Sequence, residues 1–179
     1  MRLFSVFLFV AILVAGQGCV NVTSNSAERR SPGTQLEDES IETKAIANIK
    51  EKYKDTVQIT VTSFNRFVLI TGDAPSEDSK TGIERIVYSV LNVKKIANEV
   101  SVGVLPIPSV RRADAGITRD IKSTLNRKAL TSGTVKIVTE KGVVYLLGLV
   151  THADANTAAE IASTTSGVLK VVRVFEYID

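Results

Sequence analysis

The sequence predicts an α+β fold made of two tandem copies of one α-β-β-α-β unit, each a small mixed three-stranded sheet with two helices. Three observations carry this. Apolar residues recur 76 positions apart: Ile41 with Ile117, Ile49 with Leu125, Ile59 with Val135, Val61 with Ile137, and Leu69 with Tyr145. Gly72 and Gly148 keep the same offset, each closing an apolar run. Within each copy the apolar period changes from helical to alternating and back again. Beyond the second helix the offset becomes 75, pairing Val93 with Val168, Ile96 with Val171 and Val100 with Phe175, as one deletion in a helix–strand connection would produce. The copies span 38–102 and 114–179.

Each element follows from its residues. Ile41, Ala45, Ile49 and Tyr53 mark the first helix of copy one, and Ile117, Ile121 and Leu125 that of copy two, within 114–129. Val57, Ile59 and Val61, then Val135 and Ile137, alternate as in a half-buried strand. Asn65-Arg66 and Lys141-Gly142 supply turns into the more continuous apolar strands 67–71 and 143–147. Ser76 before Glu77 and Asp78 suits a helix N-cap, as does Thr151 three residues before Asp154. The second helices carry Ile83, Ile86, Val87 and Val90, then Ala158, Ala159, Ile161 and Ala162. Final strands are expected at 96–102 and 171–178. The strand–helix–strand passage makes the last pair parallel, and the hairpin makes the first pair antiparallel. Copies of this length sit near the lower limit for independent folding, so packing against each other would stabilise both.

The start of the chain is a separate element. Met1-Arg2 precedes an apolar run from Leu3 to Gly16, too short to span a bilayer, which needs about 20 residues. A basic start, a short apolar stretch and small residues at its end describe a signal peptide over 1–18. The stretch Ala15-Gly16-Gln17-Gly18-Cys19 is similar to the lipobox of bacterial lipoproteins, with Gly16 where Leu is usual. That resemblance implies a diacylglyceryl group and an N-acyl chain on Cys19, an anchor rather than a span. Val20 and Asn21 follow, without the Asp that retains such proteins in the inner membrane, so the sorting convention implies the outer membrane. Residues 19–37, rich in Ser, Thr, Asn and Gly, read as a flexible tether, and 103–113, with Pro106 and Pro108, as a semi-rigid linker.

Composition narrows the chemistry. The 179 residues are 44% hydrophobic with a formal net charge of +3, too apolar and too weakly charged for a disordered chain. One Cys excludes an internal disulfide and any metal site built from several Cys, and one His excludes a multi-His centre. The modest charge gives no indication of nucleic acid. No residue pattern supplies a nucleophile, an acid/base pair, a phosphate loop or a metal cage. His152 stands beside a helix start with no second His and no Cys nearby. Catalytic residues, metals and cofactors are therefore not expected, apart from the acyl groups on Cys19.

The two units resemble BON domains. The residues that carry the likeness are the Gly closing each second strand, the stretches Val68-Leu69-Ile70-Thr71-Gly72 and Leu147-Gly148-Leu149-Val150-Thr151, and Ile161-Ala162-Ser163 followed by Ser166-Gly167-Val168. Arg30-Ser31-Pro32-Gly33-Thr34-Gln35-Leu36-Glu37-Asp38 is similar to the segment before the first domain in dual-BON outer-membrane lipoproteins. The resemblance implies a periplasm-facing, outer-membrane protein that maintains envelope integrity by binding, not catalysis. It also implies contact of the second domain's first helix with anionic phospholipid. Arg111, Arg112, Arg119, Lys122, Arg127 and Lys128 are the candidate contacts on and just before that helix, for lipid or for an envelope protein. Family members that insert this helix carry an aromatic where this chain has Gly116 and a Leu where it has Asn126, so attachment here is expected to be electrostatic and salt-sensitive. The alternative is a structural scaffold subunit of a multiprotein envelope assembly, such as the outer-membrane core complex of a secretion system, whose sheet edges pair with partner strands. Gly72 and Gly148 are expected to be structural.

Overall fold

The computed structural model describes residues 28–103, 108–130 and 133–179, and it is an α+β fold of two α-β-β-α-β units. The first comprises α1 (Pro32–Tyr53), β1 (Gln58–Phe64), β2 (Phe67–Ala74), α2 (Glu77–Tyr88) and β3 (Lys95–Val102). The second comprises α3 (Pro108–Arg127), β4 (Val135–Glu140), β5 (Val143–Val150), α4 (His152–Thr164) and β6 (Lys170–Tyr177). Each sheet has its second strand in the middle, antiparallel to the first and parallel to the third. Cys19 and the expected signal segment lie outside the described residues.

Two helices start earlier than their apolar repeats suggest. The stretch 19–37 was expected to be a flexible tether, yet its last part is built into the fold. α1 begins at Pro32, with Ser31 as N-cap accepting a hydrogen bond from the Thr34 amide at 3.1 Å. Ser before Pro reads as a turn, but it is equally the chemistry of a helix start, because Pro at the first helical position has no amide to leave unpaired. Likewise α3 begins at Pro108, inside the expected linker 103–113 and six residues before 114. The other caps form as the sequence suggests: Ser76 accepts from the Ser79 amide and Thr151 from the Asp154 amide.

The alternation along the central strands assigns two different burials. Val68, Ile70 and Ala74 face α1 and α2, in a core with Ile41, Ala45, Ile49, Ile83 and Val87. Val144, Leu146 and Val150 face α3 and α4, in a core with Ile117, Ile121, Leu125, Ala158 and Ala162. The intervening residues point the other way. Leu69 of β2 and Phe64 of β1 pack against Tyr145 and Leu147 of β5 and Val174 of β6. The two sheets therefore lie face to face, with helices outside both. This explains why β2 and β5 read as nearly continuous apolar runs: both of their faces are buried.

A polar rim fixes the relative orientation of the sheets. Lys141 of the second unit forms an ion pair with buried Asp73 of the first. Lys136 pairs with Glu42 at 2.8 Å, and Asn65 donates to Glu176 at 3.3 Å. These pairs put the hairpin end of each sheet beside the far end of the other, so the sheets run head to tail. Tyr145, 5% exposed, meets Glu99 of β3 across the same seam. Burial, with Glu99 and Glu140 nearby, pushes its phenol up to about 12.

Each hairpin turn is held by a buried carboxylate. Asn65 and Arg66 have φ of 53° and 66°, and Lys141 and Gly142 have 51° and 75°, the positive values of a tight hairpin. Such values cost roughly 1 kcal/mol or more for a residue with a side chain. Asp38 accepts from the amides of Asn65 at 2.9 Å and Arg66 at 2.7 Å, and from the Ser63 hydroxyl at 2.6 Å. Asp114, 76 positions on, accepts from the amides of Lys141 and Gly142, both at 2.8 Å. Arg30 completes the first clamp, donating to Asp38 at 2.9 Å while lying 4.0 Å over the Phe64 ring. Burial opposes the charge of Arg30, but its hydrogen bonds to Glu28 and Asp38 outweigh it and raise its pKa above the ordinary value.

Two outcomes follow from these contacts. Asp114→Ala leaves two turn amides unpaired and should lower stability by about 2–4 kcal/mol in urea unfolding, with Asp38→Ala costing more because it also removes the acceptor of the buried Ser63 hydroxyl and one of the two carboxylate partners of Arg30. The raised phenol of Tyr145 contributes stability that is complete below about pH 10 and is lost as pH rises through about 12. Tyr145→Phe should remove the highest step from a phenolate absorbance titration and flatten that alkaline loss.

Candidate functional site

The first helix of the second unit carries the site. Along α3, Asp114, Ile117, Ile121 and Leu125 turn inward at helical spacing and are buried. Their positions push Arg112, Arg119, Lys122, Arg127 and Lys128 to the solvent side, where all five are exposed. Arg112, Arg119 and Asn126 are seven residues apart and share one outward stripe. The side chain of Arg111 lies outside the described residues.

The structure does not gather these cations into one pocket. Arg119 and Lys122 line a groove of about 770 Å³ between α3 and β4, together with Asp114, Thr118, Asn126 and Glu140. Asp114 is committed to the hairpin amides, and Thr118 donates to Thr139 across the groove at 2.7 Å. Arg119 lies 3.6 Å from Asp120, an exposed pair worth little in water. Arg127 folds back to donate to Ser123 at 3.0 Å and Thr124 at 2.9 Å, and Lys128 stands beyond the end of the helix. Arg112, by contrast, belongs to the first turns. The expected six-residue contact is therefore a stripe with Arg119 and Lys122 at its centre.

The outward stripe has no large apolar side chain. Gly116 opens onto a second groove of about 840 Å³ lined by Ile117, Gly142, Gly167 and Leu169, and a Cβ at Gly116 would meet nothing within 4 Å. Asn126 is exposed. The helix can thus offer charge and hydrogen bonds to an anionic surface, but no apolar wedge.

Gly72 and Gly148 lie in the sheets, away from this face. Gly72 has φ of 118°, and a Cβ there would overlap the Gln58 carbonyl. At Gly148 it would overlap the Thr134 carbonyl. Both are close approaches of neighbouring strands. His152 stacks on Tyr177 at 4.1 Å and contacts Asp179 at 2.7 Å. The hydrogen bonds from His152 hold the Asp179 carboxyl below the usual range.

Sequence reasoning missed the buried carboxylates and the cross-domain role of Arg29. Asp38 and Asp114 were detectable: each stands on the apolar face, three residues before the first core Ile of its helix, at the repeat offset. Arg29 donates to the Leu149 carbonyl at 2.8 Å and to Asp154 at 2.9 Å, 120 and 125 residues away. That bond from Arg29 keeps the Asp154 carboxyl low. No local pattern signals it. Among the described residues no cluster of His, Cys, Asp and Glu is placed to hold a metal ion, and no helix is long and apolar enough to cross a membrane.

Comparison with known proteins agrees with this architecture. The BON domain family model matches residues 37–104 and 113–179. The outer membrane lipoprotein DolP of Haemophilus influenzae is 35% identical over 170 residues, covering 93% of this chain and 87% of that protein. A 21 kDa hemolysin of Actinobacillus pleuropneumoniae is 34% identical over 152 residues, covering 83% of this chain and 78% of that protein. Among solved structures, CdsD of the Chlamydia trachomatis type III secretion system aligns over 74% of this chain and 91% of its own, at 13% identity and a TM-score of 0.32. Two family matches on two α-β-β-α-β units, with high coverage of the relatives, place the chain in the BON-domain family as a tandem member of its DolP-like outer-membrane lipoproteins.

Proposed function

We propose that the protein is a non-enzymatic, periplasm-facing lipoprotein of the outer membrane, anchored through acyl groups on Cys19, which supports envelope integrity by binding anionic phospholipid through α3. The observation that carries the reading is the outward stripe of α3. It presents Arg112, Arg119 and Lys122 to solvent on a helix whose inner face is fixed in the core. Each basic residue held near an anionic leaflet contributes about 1 kcal/mol, so a few together give a weak, reversible attachment that adds to a covalent anchor. Similarity to DolP supports the location in the outer membrane. Binding of envelope proteins by the same stripe is the competing outcome.

The reading requires salt-sensitive attachment. The mature chain carrying Cys19→Ala should float with phosphatidylglycerol-containing vesicles at low ionic strength, and release as salt rises. Arg119→Glu with Lys122→Glu should weaken binding at least about tenfold without changing thermal stability. No flotation at low salt, or flotation indifferent to the charge reversal, contradicts the lipid reading. Loss of an envelope-protein partner on charge reversal, with no lipid binding, would favour the protein-contact alternative.

A further inference from the structure

The exposed apolar residues of the molecule are unevenly distributed. Among the described residues the large ones are Leu36, Tyr88, Leu91, Val102, Leu169, Tyr177 and Ile178. The first three share one end of the first domain. Asn92 donates to Glu37 at 2.8 Å, which ties the α2–β3 turn to the start of α1 and brings Leu91 and Leu36 to the same end. Their exposures are 75% and 68%, and Tyr88 at the end of α2 is 70% exposed. Because the sheets run head to tail, Tyr177 and Ile178 at the end of β6 come to this end too, beside Asn65 and its partner Glu176. Only Val102 and Leu169 lie at the opposite end.

The same end receives the chain. Arg30 is pinned to Asp38 and Phe64, and Arg29 to Leu149 and Asp154, so the described chain enters there. Cys19 is nine positions before Glu28, a span of about 30 Å when fully extended. α1, with 22 residues, is itself about 33 Å long. An anchor on Cys19 therefore holds the entry end near the bilayer, while bringing the opposite end down would use the whole reach of the segment.

Charge at this end is mixed, as at a zwitterionic and anionic headgroup layer. Lys94, Lys95 and Lys128 are exposed, and none has an ion-pair partner among the described residues. Among the nearby carboxylates, Asp38 and Asp154 are paired with Arg30 and Arg29, whereas Glu37 and Glu176 accept from the neutral amides of Asn92 and Asn65, and Asp179 contacts His152. Exposed Glu39 and Asp179, with Glu37 and Glu176, stand against the lysines. Long basic side chains around protruding Leu and Tyr form an interfacial contact: apolar groups enter the headgroup region and ammonium groups meet phosphates.

We infer that this entry end is a second membrane-facing surface, in which Leu36, Tyr88 and Leu91 enter the headgroup layer of the bilayer, with Lys94, Lys95 and Lys128 meeting its phosphates. The inference rests on the anchored reading of Cys19 but not on lipid binding by α3. It replaces the missing apolar wedge of α3 with one on the other domain.

The chain has no Trp, so a single introduced Trp reports its own depth. The test uses the full lipidated chain reconstituted in vesicles of phosphatidylethanolamine and phosphatidylglycerol, with bromine-labelled lipid as quencher. Leu91→Trp, with Tyr88→Trp as a second reporter, should shift to the blue and be quenched at least about twofold more than Leu169→Trp at the opposite end. Equal quenching of Leu91→Trp and Leu169→Trp overturns the inference. Strong quenching of Ser123→Trp on α3, with Leu91→Trp unquenched, also overturns it while upholding lipid contact by α3. Flotation of the same samples reports anchorage separately: floating vesicles with an unquenched Leu91→Trp reject the surface alone, and failure to float rejects the anchored reading with it.

Discussion

Burial of the second face of β2 and β5 is the constraint on which the molecule depends. Phe64, Leu69, Tyr145, Leu147 and Val174 lie on the faces turned away from the helices, and packing of sheet on sheet, with Arg30 over Phe64, removes them from water. Burying side chains of this size contributes about 1.5–3 kcal/mol each, comparable with the whole stability of a small domain. Each unit alone would expose this face and lose much of its margin. The rim contacts add direction to that non-directional force. Asp73 is buried, so its pairing with Lys141 penalises any arrangement in which the sheets slide or rotate and strand the carboxylate.

The candidate site inherits its geometry from this sandwich. The outer layers are helical because the inner layers are sheets, and α3 must then turn its cations outward. Its position along the sheet is set by Asp114, which ties its N-terminal half to the β4–β5 turn, and by Ile117, Ile121 and Leu125 beneath it. Arg29 and Arg30 join the incoming chain to both units, one residue to each. Whatever holds the N-terminal segment thus acts on the seam between domains rather than on a loose tail. The head-to-tail arrangement gathers the exposed apolar residues of α1, α2 and β6 at that same entry.

Much of this was legible in the sequence, and the limits have physical causes. The repeat offset gave two units and period gave element type, whereas the more continuous apolar runs of β2 and β5 were read as strands without their second buried face, which only the opposite sheet supplies. Caps at Ser76 and Thr151 were readable because capping is local. Pro32 and Pro108 misled because Pro serves both linkers and helix starts, and only the fold decides between them. The basic residues of α3 were assigned to the right helix, but their spread into a stripe depended on rotamers and on partners such as Ser123 and Thr124. Arg29, Lys136 and Lys141 find partners across the seam, a relation that no window along the chain contains.

The most direct test of the account asks whether the two domains open as one unit. Native-state amide exchange should give the central amides of β2 and β5 the same opening free energy. Leu147→Ala, which removes a buried side chain from the seam, should lower both by a similar amount, about 2–4 kcal/mol. Loss of protection in β5 with β2 unchanged would show two independent domains and contradict the central role given to the sheet–sheet interface.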